Sequence, residues 1–461
     1  MTESFDVIII GAGASGVFMA YEFAKLDRGL KVCMIDKGAP IAERVCPIDG
    51  KKVKTCIHCK TCAIMHGFGG AGGMSDGKYN ITNSFGGDLY AHTGRKEAIE
   101  LMEYVDKVNL EMGGADAKLY STVSTDLKAA ALRCDLHLLD AKVRHLGTDR
   151  NRTILQNIYD RIKERIDIRF REEVISVDKD EDGFTVTTDK GTYRCLRVAA
   201  AAGRSGSKWM SGLCDSFGIE TRSNRVDIGV RVELPAAVFE HITSKVYESK
   251  IVFRTKKHGD LVRTFCMNPY GEVVNENTNG IITVNGHSYS DPALHTENTN
   301  FALLVSNTFS EPFRDSNLYG ESIARLSNML GGGVLVQRFG DLTAGRRTND
   351  HRLSQSFTNP TLKATPGDLS LVIPKRQLED IIEMIYALDK IAPGTANYDT
   401  LLYGVEVKFY NSKVTVNENL ETSVKGLYAL GDGSGVTHSL SQASASGVYA
   451  ARIIAEELAN I

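Results

Sequence analysis

The chain has 461 residues, enough for two or three domains, with 54 basic and 57 acidic side chains giving a net charge of −3. That balance argues against a surface built to attract nucleic acid. No apolar run reaches the length of a membrane span, and the first apolar stretch reads as a buried strand rather than a signal peptide. A cytoplasmic location is expected. Nine cysteines in such a chain point to a metal or redox site before a disulfide scaffold.

In chain order, residues 7–10 (VIII) form a continuous apolar run, as a parallel strand buried on both faces would. The turn Gly11-Ala12-Gly13-Ala14-Ser15-Gly16 follows, then a helix over 17–26. Gly11 allows the turn, Gly13 admits a pyrophosphate close to the backbone, and Gly16 lets helix and strand pack. The helix start offers N–H groups and a positive dipole end to phosphate. Residues 30–35 are a second strand, closed by Asp36 about 20 residues after Gly16, where an acid accepts hydrogen bonds from a ribose. Lys37 beside it and Arg44 beyond it are further cofactor-binding candidates.

Residues 37–72 are a loop rich in Cys, Gly, Lys and Pro. Cys56, Cys59 and Cys62 have C-x2-C-x2-C spacing, and Cys46-Pro47 precedes them. The four thiols are candidate ligands of a 4Fe–4S cluster. They also suit a tetrahedral zinc site, a redox disulfide, or plain reduced loop cysteines. Gly67-Phe68-Gly69-Gly70-Ala71-Gly72 repeats the GxGxxG spelling, but no strand precedes it, so it is not read as a second dinucleotide turn.

Helices are expected over 95–112 and over 153–166, where Ile154, Ile158 and Ile162 recur at helical spacing. A meander follows, with strands over 168–178, 184–188 and 193–198. Val174 on its first strand is a cofactor-binding candidate. The last strand runs into Ala199-Ala200-Ala201-Ala202-Gly203, small residues that let the chain pass beside a cofactor. Residues 221–404 read as an inserted mixed α/β domain. Its expected strands are 227–234, 262–266, 281–284 and 302–306, and its expected helices 235–246, 317–330 and 375–391. The C-terminal part returns with a strand over 420–430 ending in Gly431-Asp432-Gly433, then a helix over 444–458. The fold class is α/β. A Rossmann-like domain (1–220 and 405–461, with the cysteine-rich loop 44–72 inside it) carries a parallel sheet and a β-meander, and 221–404 forms a substrate or cap domain.

GAGASG, AAAAGRSG and the late Gly-Asp together resemble the FAD flavoproteins with two dinucleotide-binding domains. CxxCxxC with GFGGAGGMSDGKYN, TFCMNPYGEVV and GDGSGVTHSLSQASASG are similar to a group of bacterial and archaeal FAD-dependent dehydrogenases. The resemblance implies that Asp36 binds the adenosine ribose and that Gly431 and Asp432 hold the ribityl–pyrophosphate region. Ala202 and Gly203 would then border the cofactor, and Gly72, Gly73 and Ser75 would lie beside the flavin. Where many relatives place Arg-Gly after Gly-Asp-Gly-x-Gly-x-Thr, this chain has His438-Ser439.

No second GxGxxG in proper context provides a nicotinamide domain. Electrons would come from a small-molecule substrate, from NAD(P)H visiting the flavin pocket, or from a ferredoxin-like partner. Candidates for proton transfer are His438, Cys266, Tyr403 and Glu406. Arg346 and Arg347 could grip a carboxylate or phosphate, with Arg231 and Arg263 weaker candidates of that kind. The expected activity is hydride transfer between a small organic substrate and FAD. The alternatives are a non-redox enzyme of the thiazole-synthase kind and a flavin-containing electron-transfer or sensor protein.

Overall fold

The computed structural model describes residues 3–47, 52–53, 57, 59–278, 280–289, 292–310, 312–313 and 315–459. They form two compact units: Met1–Tyr120 with Lys142–Arg222 and Tyr410–Ile461, and Ser121–Ala141 with Ser223–Phe409.

In the first unit a parallel sheet runs in the order Asp167–Phe170, Val32–Asp36, Glu3–Ile10, Thr192–Ala200, Leu427–Ala429. The antiparallel strands Gly183–Thr188 and Val174–Asp180 extend it as the meander. The apolar run at the start occupies the middle of this sheet. Val7 and Ile9 face one core, and Ile8 and Ile10 face the other. All four are nearly or wholly inaccessible, which is why the run reads as continuous rather than alternating. Helix Ala14–Leu26 is buried at every position from Ser15 to Ala24. It packs against Leu440–Ala459, and a Cβ on Gly447 of that helix would lie 2.0 Å from the Ser15 carbonyl oxygen.

The strand expected over 168–178 is two strands. Asp167–Phe170 pairs with Val32–Asp36, whereas Val174–Asp180 pairs with Gly183–Thr188. Between them Arg171 sits at φ 53° and its N–H donates to the Gly38 carbonyl. The helix expected over 153–166 is Thr148–Ile162. The long strand expected before Gly431 shrinks to Leu427–Ala429, because residues 417–430 fold back as a turn in which Ala429 N–H donates to the Leu420 carbonyl.

The second unit holds an eight-stranded sheet. Its order is Thr365–Pro366, Leu335–Arg338, Leu401–Lys408, Val226–Pro235, Asn298–Asn307, Leu261–Asn268, Ile251–Arg254, Leu136–Leu138. Helices Ser316–Gly331 and Lys375–Asp389 belong to the same unit. Two boundaries drawn from the sequence therefore move. Leu401–Lys408 lies inside this sheet, so a division at 404/405 would cut a strand. Leu136–Leu138, from the stretch 121–141, is its edge strand. The helix expected over 235–246 is broken into the short turns Ala236–Val238 and Glu240–Thr243.

Strand Val226–Pro235 alternates, with Ile228, Val230, Val232 and Leu234 in the apolar core and Asp227, Arg231 and Glu233 interleaved. Such alternation ordinarily marks a solvated face. Here the three charged residues are also wholly buried.

Candidate functional site

Four strands of the first unit end along one edge of the parallel sheet, and backbone hydrogen bonds stitch those ends together. Gly11 N–H donates to the Ile35 carbonyl at 2.8 Å, Ala201 N–H to Ile10 at 2.9 Å, and Leu430 N–H to Ala200 at 3.0 Å. The carboxyl edge of an open α/β sheet is where ligands of this fold class lie. GAGASG, the alanine-lined end and Gly431-Asp432-Gly433, separated by hundreds of residues, meet there.

Gly11 and Gly16 make the close approaches that their spacing predicts. Gly11 has φ +106°, and a Cβ on it would press 2.8 Å from the Ala201 carbonyl oxygen. A Cβ on Gly16 would fall 2.0 Å from the Gly11 oxygen, so only glycine lets this helix meet this strand. A Cβ on Gly13 or on Gly203 would meet nothing within 4 Å. Both glycines border open space. The first intrahelical bond runs from Val17 N–H to the Gly13 carbonyl. The Gly13, Ala14 and Ser15 amides at this helix start find no acceptor among the described residues. Orphan donors beside an open backbone cradle fit a pyrophosphate. At the third strand end, the Asp432 carboxylate accepts from Thr437 Oγ1 at 3.1 Å and lies 3.5 Å from Arg204 Nε. Burial holds its pKa above the ordinary carboxylate value, against the pull of Arg204 and of the Thr437 hydroxyl. A half-buried carboxylate here fits a sugar-like hydroxyl donor. The chain's own groups thus suit an extended dinucleotide.

Other candidates are engaged elsewhere. Ala12 N–H donates to Asp36 Oδ2 at 2.8 Å, and Ala12 O accepts from Gly69 N–H at 2.7 Å, so Ala12 holds the turn and offers no free amide. Asp36 accepts two further amides on Oδ1, Gly38 N–H at 2.7 Å and Gly67 N–H at 2.8 Å. This carboxylate is first of all a latch between strand end, turn and loop. Arg44 is a correction. It is 0% exposed, and its guanidinium donates to the carbonyls of Ala63, Ile64 and Phe68 at 2.7–2.9 Å. A guanidinium with no accessible surface has no face left for a cofactor. Burial lowers its pKa to about 10, with nearby Asp36 opposing the fall. Lys37 pairs with Glu173 at 3.2 Å, and the Val174 side chain packs into the core.

The second glycine-rich spelling is not a dinucleotide turn, yet it lies against the first. Gly70, at φ +56°, approaches Gly13 so closely that a Cβ would sit 2.9 Å from Gly13 Cα. Gly73 instead packs on Arg44 Nη1, and Gly72 on Leu440. Ser75 Oγ and Asn151 Nδ2 both donate to the Gly72 carbonyl. The sequence reading missed Gly69, Gly70 and Asn151. The repeated glycine spelling was the available signal. It also missed Gln442, wholly buried, which holds Thr82, Phe85 and Leu89 of a neighbouring loop.

His438 is half-buried six positions after Asp432. Its N–H donates to the Gly86 carbonyl and its ring lies edge-on to Tyr410, centroids 4.6 Å apart. The remaining proton-transfer and anion candidates lie in the second unit. Tyr403 is a correction. It is 0% exposed in the sheet, its hydroxyl donates to buried Glu233 at 2.6 Å, and burial raises its pKa well above normal. Glu406 and Arg231 form a wholly buried two-bond pair at 2.8 and 2.9 Å, so neither is free for substrate. Arg346 is engaged by Asp341 at 2.9 Å and by the Tyr398 hydroxyl. Arg263 pairs with buried Asp227. Arg347 is exposed. Cys266 is half-buried at φ 47° on an irregular stretch of strand Leu261–Asn268.

Cys46, Cys59 and Cys62 are free thiols, and Cys56 lies outside the described residues. Among the described residues no three His, Cys, Asp or Glu side chains group as metal ligands, and no helix is long and apolar enough to cross a membrane.

No curated protein matches the chain. Among solved structures it is similar to a mutant of NikD, described as an unusual amino acid oxidase essential for nikkomycin biosynthesis (14% identity, 99% of this chain and 95% of that one, TM-score 0.43). It is similar to glycine oxidase from Geobacillus kaustophilus (12%, 100% and 94%, 0.36) and to L-proline dehydrogenase from P. horikoshii (14%, 99% and 95%, 0.38). Residues 225–409, within the second unit, match the family described as FAD-dependent protein, C-terminal domain-like.

Proposed function

We propose that this chain is an FAD-dependent oxidoreductase that exchanges a hydride between a small organic substrate and the flavin. The observation that carries the reading is the meeting of three distant segments at one sheet edge, with open glycines at 13 and 203, orphan amides at 13–15 and a carboxylate at 432. Gly13, Ala14 and Ser15 would hold the pyrophosphate, Asp432 the ribityl chain, and Ala202 and Gly203 the surface between. Hydride acceptance is the chemistry that FAD supplies when bound. The chain's part is to position it, and His438 is the residue proposed to move a proton. The second unit is proposed as the substrate-bearing part, in keeping with the FAD-dependent family match over 225–409.

The test is anaerobic mixing of the purified yellow protein with NADH, NADPH, and a panel of small amines, amino acids and hydroxy acids. Bleaching of the flavin bands by at least one of them, reversed by air, is expected. A flavin that none of them reduces would count against the reading.

A further inference from the structure

We propose that the second unit carries a binding site for a small organic cation, an alkylammonium group, in the cavity flanked by Phe357 and Pro235. The cavity holds about 290 Å³ and is lined by Pro235, Glu297, Asn298, Phe357, Pro360 and Thr361 among others, with no Lys, Arg or His. That is the small end of the range for ligand pockets, enough for a methylated ammonium and far too little for a dinucleotide.

Three features give it its sign. The first is Glu233, wholly buried and bonded to two residues of the wall. It accepts from Asn298 Nδ2 at 3.0 Å, from the Thr361 N–H at 3.2 Å and Thr361 Oγ1, and from the Tyr403 hydroxyl on its far side. All four donors are neutral. Three other buried carboxylates of this unit have a cation (Asp227 has Arg263, Glu406 has Arg231 and Lys408, and Asp341 has Arg338), whereas Asp380, also wholly buried, has no ion pair among the described residues. Glu233 has no ion-pair partner among the described residues. A buried charge without a counter-charge is costly, and a cation one side chain away would offset it.

The second feature is Glu297, an exposed carboxylate on the wall itself. The third is Phe357, 92% exposed, a large aromatic that buries almost nothing in the fold. Its N–H is tied to Asp399 at 3.3 Å, and Asn298 Nδ2 also grips the Asn359 carbonyl at 2.8 Å, so the segment carrying the ring is fastened to the sheet. An aromatic face beside carboxylates, walled by prolines, is the arrangement that recognises alkylammonium groups. An anion would meet the Glu297 carboxylate with Glu233 buried behind the wall, and a neutral ligand would leave Glu233 uncompensated.

The inference rests on the second unit alone, so its failure leaves the flavin reading standing. The test is isothermal titration calorimetry of the full, flavin-loaded chain with tetramethylammonium chloride, with tert-butanol as the neutral isostere and potassium chloride as the inorganic cation. Saturable one-to-one binding of tetramethylammonium is expected, absent for the other two. Phe357→Leu and Glu297→Gln should each weaken it at least about threefold, with unchanged thermal midpoints. Both side chains are exposed, so neither change disturbs packing. No saturable binding, equal binding of tert-butanol or potassium, or full affinity in both variants would overturn the proposal.

Discussion

Gly433 lies so close to Ala202 that a Cβ built on it would fall 1.6 Å from the Ala202 carbonyl oxygen. Two segments more than two hundred residues apart are thus held in backbone contact at the edge where the parallel strands end. Neither backbone can yield without breaking the stitching of Leu430 to Ala200. Gly433→Ala should therefore cost about 3 kcal/mol of stability, the upper end of the usual overpacking range. Thermal denaturation followed by circular dichroism measures it. A midpoint equal to wild type would mean that the two segments do not meet as described.

Arg44 supports a loop rather than a ligand. Replacing it by methionine strands the buried Phe68 carbonyl and the partly buried carbonyls of Ala63 and Ile64, a buried one being worth about 1–3 kcal/mol when unsatisfied, so a loss of about 1–3 kcal/mol is expected in urea denaturation. Arg44→Lys should recover little, because an ammonium cannot fork to three carbonyls. Full stability in Arg44→Met would refute the role.

Asp380 gives the fold a pH dependence of known sign. Its carboxyl is wholly buried on helix Lys375–Asp389, and its pKa is raised from 3.8 to about 6 by burial first and then by Asp260, with Thr255 and His258 opposing. Asp260 is itself gripped by Arg376 at 2.6 and 2.7 Å and stays ionised. The folded chain holds the Asp380 proton more tightly than the unfolded chain does. The stabilisation is complete below about pH 4 and is lost as pH rises through about 6, up to about 3 kcal/mol for a shift of this size. Asp380→Asn should flatten the stability profile between pH 4 and 7 and exceed wild type at pH 8. Parallel profiles for the two proteins would contradict this.

Much of the first unit was legible because its signals are local. A four-residue apolar run, glycines at fixed spacing and a terminal acid each demand one backbone geometry, and Gly11 and Gly16 make the close backbone approaches that their spacing predicts. What failed was long-range. Nothing near Arg44 in sequence tells that the carbonyls of residues 63–68 fold around it. Asp36 sits where a ribose acid is expected, yet three backbone amides reach it from residues 12, 38 and 67. In the second unit Arg231, Glu406 and Tyr403 look like site chemistry in one dimension. In three, two of them neutralise each other inside a sheet. The strand Leu401–Lys408 was divided because a domain boundary leaves no mark in a run buried on both faces.

The most direct measurement is equilibrium titration of FAD into cofactor-stripped protein, for wild type and for Gly13→Val. Gly13 has φ −75°, a conformation open to any residue, and its Cβ direction is empty, so the variant should fold with the same thermal midpoint. Wild type should bind one FAD per chain and turn yellow, while Gly13→Val should bind at least about tenfold more weakly because its side chain fills the pyrophosphate cradle. Wild type that stays colourless, or Gly13→Val that binds FAD as tightly as wild type, would contradict a cofactor lying across that turn.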